Sequence, residues 1–292
     1  MSMWQHIAAQ ISTRTGSSFE PRAPSPVGGG CINQALKLSD GCRHWFVKIN
    51  KPEGIGMFEA EAEGLNALAS TQTIRVPRAL CTGVYENHSY IVIDYILHGR
   101  SRGDSQAQAG RELAAMHRHS AEQFGWHRQN TIGATHQPND WADDWIDFWR
   151  LRRLGFQLHL AGRNGHGGQL QSSGEQLLSR FDALIDHAPQ ASLLHGDLWG
   201  GNITFDSEGH PVIFDPAVYH GDRETDLAMT ELFGGFSSDF YAAYRESWPL
   251  DAGYRVRRQL YNLYHILNHL NLFGGGYRAQ AQGLIDRLLA EC

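Results

Sequence analysis

The sequence runs to 292 residues with a net charge of −6 and 41% hydrophobic content, enough chain for one two-lobed unit with its own core. That mild acidity argues against a broad nucleic-acid surface, and no run of eighteen or more apolar residues offers a membrane span. Met1-Ser2-Met3-Trp4-Gln5-His6 lacks a basic region leading into an apolar stretch, so no signal peptide is expected, and four cysteines (Cys31, Cys42, Cys81, Cys292) without paired spacing read as a reduced, cytoplasmic protein.

In chain order, the first marked signal is Pro26-Val27-Gly28-Gly29-Gly30-Cys31-Ile32-Asn33-Gln34-Ala35-Leu36-Lys37-Leu38, a glycine run entering an alternating strand. Consecutive glycines let backbone N–H groups approach phosphate oxygens with no Cβ in the way, although a bare triple glycine also serves as a plain turn. After Gly41, a second strand, Arg43-His44-Trp45-Phe46-Val47-Lys48-Ile49, carries one lysine. The spacing of Leu65, Leu68 and Ala69 predicts a helix over Met57 to Ala69. Its Glu59, Glu61 and Glu63 compete to pair with Lys48, and spacing does not choose among them. Val84-Tyr85, a turn at Glu86-Asn87-His88 and the stretch Ser89 to Tyr95 read as a hairpin.

The remainder reads as mostly helical. A helix over Gln106 to Met116 ends near His117 and His119, which are two residues apart, fall on different faces and are not assigned to a metal. Within a helical stretch from Asp140 to Leu160, Trp145, Phe148 and Trp149 share one face; they are either core packing or an aromatic wall for a sugar or amine. Gly162 to Ser173, with four glycines, is predicted as a flexible loop. Helices follow at about Gly174 to His187, Ser238 to Glu246, Tyr254 to Asn271 and Gly276 to Ala290, with no internal repeat and no low-complexity tail.

The chemistry concentrates in Leu194-His195-Gly196-Asp197-Leu198-Trp199-Gly200-Gly201-Asn202 and Ile213-Phe214-Asp215-Pro216. Asp197 and Asn202 are five residues apart, and Asp215 follows thirteen later at the end of an apolar strand, Pro211 to Phe214. This is the order of a kinase catalytic loop and its metal-binding aspartate, and it points to transfer of the ATP γ-phosphoryl group to a hydroxyl. One carboxylate, Asp197, orients the hydroxyl and accepts its proton. Asn202 and Asp215 supply the hard oxygen ligands that Mg²⁺ prefers. In that context the glycine run becomes a phosphate loop, Lys48 a phosphate ligand, and the hairpin exit Asp94-Tyr95-Ile96 a linker whose backbone meets the adenine edge. Only ten residues separate Asp215 from Asp226, with no Ala-Pro-Glu anchor, so there is no room for a peptide-docking activation segment. A small acceptor, or a small modified group on a protein surface, fits better. Asp222 and Glu224 in this gap are candidates to face an acceptor amine, or else are solvated loop acids.

With Gly28 to Gln34, Phe46-Val47-Lys48, Phe58-Glu59-Ala60-Glu61-Ala62, the Trp199-Gly200-Gly201 insert and Asp215 to Ala228 (Gly221-Asp222-Arg223-Glu224-Thr225-Asp226-Leu227-Ala228 above all), the chain resembles the fructosamine kinase, or ketosamine-3-kinase, family from about residue 6 to its C-terminus. That family is a branch of the kinase-like fold shared with aminoglycoside phosphotransferases and choline kinases. The resemblance implies an α+β, two-lobed fold. Residues 1–95 would be an N-lobe with a five-stranded antiparallel sheet and one main helix, and residues 96–292 a mainly helical C-lobe. It makes Glu61 the partner of Lys48, Asp197 the catalytic carboxylate, Asn202 and Asp215 the metal ligands, and Asp226 a brace for the catalytic loop.

The expected nucleotide contacts are Gly28, Gly29, Gly30, Cys31, Asn33, Lys48, Glu61, Asp94, Tyr95 and Ile96. The acceptor candidates are Trp199, Asp222, Glu224 and Trp145. The implied activity is ATP- and Mg²⁺-dependent phosphorylation of the sugar 3-hydroxyl in ketosamines, on free amines or protein lysines, after which the adduct decomposes and frees the amine. A kinase for an aminoglycoside or choline-like alcohol is the alternative, and a non-catalytic ATP-binding module a third reading. Cys31 sits where backbone N–H groups and Lys48 favour a thiolate, so its oxidation, or a Cys31–Cys31 disulfide between two chains, is a candidate off-switch; otherwise the chain is expected to be a monomer.

Overall fold

The computed structural model describes residues 1–28 and 33–292. Its N-terminal part is a five-stranded antiparallel sheet. In chain order it comprises helix α1 (Met3–Thr15), β1 (Ser25–Pro26), β2 (Gln34–Ser39), β3 (His44–Asn50), α2 (Ile55–Ser70), β4 (Ala79–Tyr85) and β5 (His88–Asp94), with the strands ordered β1-β2-β3-β5-β4. Side chains alternate across a pleated strand, and here both faces are covered. Val47, Ile49, Tyr90 and Val92 pack with Ile7, Ala8 and Ile11 of α1. Ile91 and Ile93, one residue out of phase, pack with Phe58, Leu65 and Leu68 of α2. Double coverage explains why β5 is buried nearly end to end instead of alternating between core and water. Helix α1, which no motif announced, is started by a capping box in which Ser2 and Gln5 exchange side-chain to backbone bonds.

The rest of the chain is helical around small strands. Helix α3 (Ser105–His117), β6 (Ser120–Ala121), β7 (Asn130–Ile132) and β8 (Thr135–Gln137) lead to α4 (Trp145–Phe148). A π-helical stretch (Trp149–Leu154) joins α4 to α5 (Gly155–Arg163), followed by α6 (Gln169–Ser179). Then come β9 (Ala191–Leu194), β10 (Ile203–Phe205), β11 (Pro211–Ile213) and β12 (Tyr219–Gly221), and the helices α7 (Glu224–Phe233), α8 (Ser238–Ser247), α9 (Tyr254–Phe273) and α10 (Tyr277–Glu291). The core of α2 and β5 runs on without a break into Leu113 and Met116 of α3, Leu198, Ile213, Val218 and Phe240, so the sheet is seated on the helical part through apolar contact. Among the described residues, no helix is long and apolar enough to cross a membrane.

Two expectations need correction. Part of the glycine-rich loop placed at Gly162 to Ser173 is helix, because Leu170, Gly174 and Leu177 at i, i+4 and i+7 form a buried stripe in α6. The helix expected from Gly174 to His187 correspondingly ends at Ser179 and is followed by a single 3₁₀ turn, Phe181–Leu184.

Candidate active site

Lys48 lies on β3 at the face turned to α2. Its ammonium donates to Glu61 Oε1 at 2.7 Å and also to Asp215 Oδ1. Burial would lower its pKa, but the charges of Glu61 and Asp215 outweigh burial and hold the ammonium protonated. Glu61 is thus the partner among the three candidates. Glu59 and Glu63, on the other side of α2, bind Arg128 instead.

The loop after β9 carries Asp197 and Asn202. Asn202 donates from Nδ2 to the Asp197 backbone carbonyl at 2.8 Å and to Asp197 Oδ2 at 3.2 Å, which leaves its own carbonyl oxygen as a metal-type ligand. Phe214 N donates to Asn202 O at 3.0 Å, tying the loop to the exit of β11. There Asp215 takes a left-handed φ of 57°, a conformation that aspartate tolerates better than most residues and that recurs at functional sites. Burial pushes the Asp197 carboxyl up to about 7. The Asp215 charge adds to that shift, and the Asn202 hydrogen bond opposes it. Two hard oxygen donors beside a pair of carboxylates suit Mg²⁺.

A buried frame holds this loop. Asp226, on α7, accepts from His195 N at 2.7 Å and from Gly196 N at 2.8 Å. It also accepts from His117 Nε2 at 3.1 Å, while Tyr244 OH donates to His117 Nδ1 at 2.8 Å. His195 Nε2 donates to Phe214 O at 2.9 Å, and burial lowers its pKa, consistent with a neutral ring whose Nδ1 accepts from Asp197 N. Gly196 has φ +81°, and a Cβ there would collide with the Ala217 carbonyl. Asp226 therefore touches the loop backbone, the bracing place expected of it.

Burial raises the Asp226 pKa, but hydrogen bonding from His117 and Gly196 more than offsets this and holds it below the usual carboxylate range. Replacing it with Asn leaves at least one buried donor without an acceptor, at an expected cost of about 1–3 kcal/mol. Because the folded pKa is depressed, the wild-type carboxylate stabilises fully above its unfolded value of about 3.9, and that contribution is lost as pH falls through the folded value. Urea unfolding should therefore show a gap between wild type and Asp226→Asn that is constant near neutrality and closes below about pH 4.

The acceptor candidates divide. Trp199 is 39% exposed beside the loop, edge-on to Phe233 at 6.2 Å between ring centroids. Trp145 is buried, its indole N–H donating to Tyr261 OH at 3.1 Å. Asp222 accepts from Tyr261 OH at 2.6 Å and lies 2.8 Å from His187 Nε2. Glu224 is held by both forks of Arg257 at 2.7 and 2.9 Å. Trp145, Asp222 and Glu224 are core groups, so the geometry corrects their placement at an acceptor face. His187, Asp222 and Glu224 do bring three ligand-type atoms within 4.8 Å of one another, but the Glu224 carboxylate already has its cation in Arg257.

Of the nucleotide candidates, Asn33 Oδ1 accepts from Asn50 Nδ2 at 2.7 Å, and a Cβ on Gly28 would meet nothing within 4 Å. Asp94 ends β5 with Oδ2 accepting from Arg78 N at 3.0 Å, and the Tyr95 ring lies under Lys37 at 4.6 Å. Ile96 follows β5 on the chain leading out of the sheet. Gly29, Gly30 and Cys31, and with them the redox switch, lie outside the described residues.

Sequence reasoning missed Arg128, Asn130 and Gln137. Asn130 Nδ2 donates to Val218 O at 2.8 Å and Gln137 Nε2 to Ala217 O at 3.1 Å, just beyond Asp215. The available signal was a short hairpin, Asn130-Thr131-Ile132-Gly133-Ala134-Thr135-His136-Gln137, with polar residues where its inward positions should be apolar.

Known proteins resemble this chain in sequence and in fold. A sequence profile described as fructosamine kinase matches residues 3–291. The chain is 50% identical over 287 residues to a probable ketoamine kinase of Synechocystis sp., covering 98% of this chain and 97% of that one. It is 45% identical over 267 residues to the chloroplastic protein-ribulosamine 3-kinase of Arabidopsis thaliana, covering 90% and 81%. A candidate fructosamine-3-kinase of known structure from Haemophilus somnus superposes with a TM-score of 0.90 at 30% identity, covering 98% of each chain. An aminoglycoside phosphotransferase, APH(4)-Ia, solved with AMP-PNP and hygromycin B, shares the fold alone, with a TM-score of 0.62 at 15% identity over 98% of each chain. On the whole-chain profile and these identities, the chain belongs to the fructosamine kinase family.

Proposed function

We propose that this phosphotransferase moves the γ-phosphoryl group of ATP to the 3-hydroxyl of the sugar in a ketosamine, carried on a free amine or a protein lysine, and so labilises the adduct. The observation that carries the reading is the convergence of five side chains from four segments. Lys48 of β3 bridges Glu61 of α2 and Asp215 at the β11 exit, while Asn202, joined to that exit through Phe214 N, holds Asp197. The ketoamine and ribulosamine names of the relatives supply the acceptor class, and the AMP-PNP complex of the shared fold supports a nucleoside triphosphate as donor. Residues 1–95 serve as the ATP-binding lobe and residues 96–292 as the acceptor lobe.

In this reading Asn202 and Asp215 hold Mg²⁺, which neutralises phosphate charge when bound with the nucleotide. Lys48 holds phosphate oxygens, and Glu61 keeps the ammonium aimed. The Asp197 carboxylate, its pKa raised towards neutrality by burial, orients the hydroxyl and takes its proton. Trp199, exposed two residues from Asp197, is the acceptor contact the geometry leaves open.

The test is Mg²⁺-dependent ATP consumption with ribulose-lysine, fructose-lysine, an aminoglycoside and choline, with an Asp197→Ala chain as blank. Turnover on the ketosamines alone is expected. Turnover only on the aminoglycoside or choline would overturn the acceptor assignment while keeping the catalytic one.

A further inference from the structure

Of the three glutamates within two turns of α2, only Glu61 is turned to Lys48. The other two are occupied from the opposite side. Arg128 donates from Nη1 to Glu63 Oε1 at 2.6 Å and from Nη2 to Glu59 Oε2 at 3.1 Å, and His127 Nε2 lies 3.1 Å from Glu63 Oε2. The backbone carbonyl of Arg128 is itself held by Asn139 Nδ2 at 3.1 Å. Asn139 also donates to Asn130 Oδ1 at 2.8 Å, as does Gln137 at 2.8 Å. From these, Asn130 and Gln137 reach the carbonyls of Val218 and Ala217. The network is anchored from behind by Arg153 Nη2, which donates to Asn139 Oδ1 at 2.8 Å, and by Tyr264 OH, which donates to Gln137 Oε1 at 2.7 Å. Gly64 closes the circuit. A Cβ on it would stand 3.0 Å from Val218 Cγ2 and 3.5 Å from Pro216 Cγ, so α2 rests directly on the residues after Asp215.

We propose that the hairpin of β7 and β8, with its lead-in from Phe124, is a positioning element that fixes α2 and the Asp215 segment relative to each other, with Arg128 as its positioning residue on α2. The inference rests on the reading of Lys48, Glu61 and Asp215 as nucleotide-holding groups. Lys48 needs two carboxylates that arrive on separate elements, and a shift of either by an ångström changes where the ammonium points. The element's hydrogen bonds end on Glu59, Glu63 and the carbonyls of Ala217 and Val218 rather than on Asp197 or Asn202, so its loss is expected to act on nucleotide grip more than on the acceptor.

The experiment compares wild type, Arg128→Ala, Arg128→Lys, Glu59→Gln/Glu63→Gln and the triple combination. For each, the KM values for ATP and for ribulose-lysine, ADP·Mg²⁺ binding by calorimetry and the thermal midpoint are measured. Arg128→Ala is expected to raise KM for ATP and Kd for ADP about three- to tenfold, the range open to a partly exposed bidentate charge network, with KM for the acceptor unchanged. Arg128→Lys, which cannot fork to both glutamates, should fall between. The glutamine pair should reproduce the effect, and the triple combination should add nothing to it, because all remove one network. An unchanged nucleotide affinity, an equal rise in both KM values, or additive losses would overturn the proposal. If wild type binds ADP·Mg²⁺ normally, such an outcome leaves the reading of Lys48 intact. If wild type itself binds no nucleotide, that reading falls and the proposal falls with it.

Discussion

An Asp197→Asn protein is expected to turn over about 10²- to 10⁴-fold more slowly than wild type on a ketosamine while binding ADP·Mg²⁺ with near-wild-type affinity. The substitution conserves volume and leaves the stronger of the two Asn202 bonds, the one to the backbone carbonyl of residue 197 at 2.8 Å, untouched. The loop should therefore keep its shape. What disappears is the group that can receive a proton: an amide has no useful basicity near neutrality, so the attacking hydroxyl would have to release its proton to water. The raised carboxyl of Asp197 is part of the argument, because a base works best with a pKa near the operating pH. Stopped assays of phosphorylated product, paired with calorimetry of ADP binding, separate the two quantities. A kcat within about threefold of wild type would remove Asp197 from the role of base, and a parallel collapse of nucleotide binding would show that the loop had moved.

The parts of this site that were legible in the sequence are those whose spacing the chemistry itself constrains. Asp197, Asn202 and Asp215 must come from one loop and the following strand exit, so their separation along the chain is nearly fixed. Glu61 was half-legible. Glu59 and Glu63 are four apart and share a face, whereas Glu61 falls three residues after Phe58 and four before Leu65, on the buried stripe Phe58, Leu65, Leu68. A charge inside an apolar stripe was the available signal, and counting the stripe from Leu65 onward hid it. Asp222 and Glu224 were illegible for a different reason. Their partners, Arg257 and Tyr261, lie one turn apart on α9, more than thirty residues downstream, so a loop acid awaiting a substrate looks the same in sequence as one awaiting a remote arginine. The first turn of α6 was masked by the glycines just before it, at 162, 165, 167 and 168, which drew the loop on to Ser173 and the helix start to Gly174. The hairpin of β7 and β8 carried as its signal only the polar residues Asn130 and Gln137 at inward positions, and the backbone carbonyls that they serve are not displayed by a sequence.

The largest loss of stability is expected from Arg257→Ala. Arg257 is fully buried on α9, forks to Glu224 at 2.7 and 2.9 Å, donates to Ala252 O at 2.7 Å and also pairs with Asp186. Removing it strands the Glu224 carboxylate, 1% exposed, without a cation, at a cost of about 3–5 kcal/mol. The pH dependence has a definite sign. Burial already raises the Glu224 pKa against the pull of Arg257, and deleting Arg257 raises it further, so the folded variant holds a proton that the unfolded chain releases. Its stability then falls as pH rises, and the deficit relative to wild type should be larger at about pH 8 than at about pH 5. Arg257→Met combined with Glu224→Gln should recover much of the loss, because it removes the stranded charge and refills the volume. Urea titrations at the two pH values decide the matter. A deficit below about 1 kcal/mol, or one that grows towards acid, would mean the pair contributes little beyond packing. Because Glu224 opens α7 and Asp226 follows two residues later to grip the His195 and Gly196 amides, a true rupture at Arg257 should also lower kcat. The methionine–glutamine pair should restore turnover and stability together if the ion pair serves the loop through the helix it anchors.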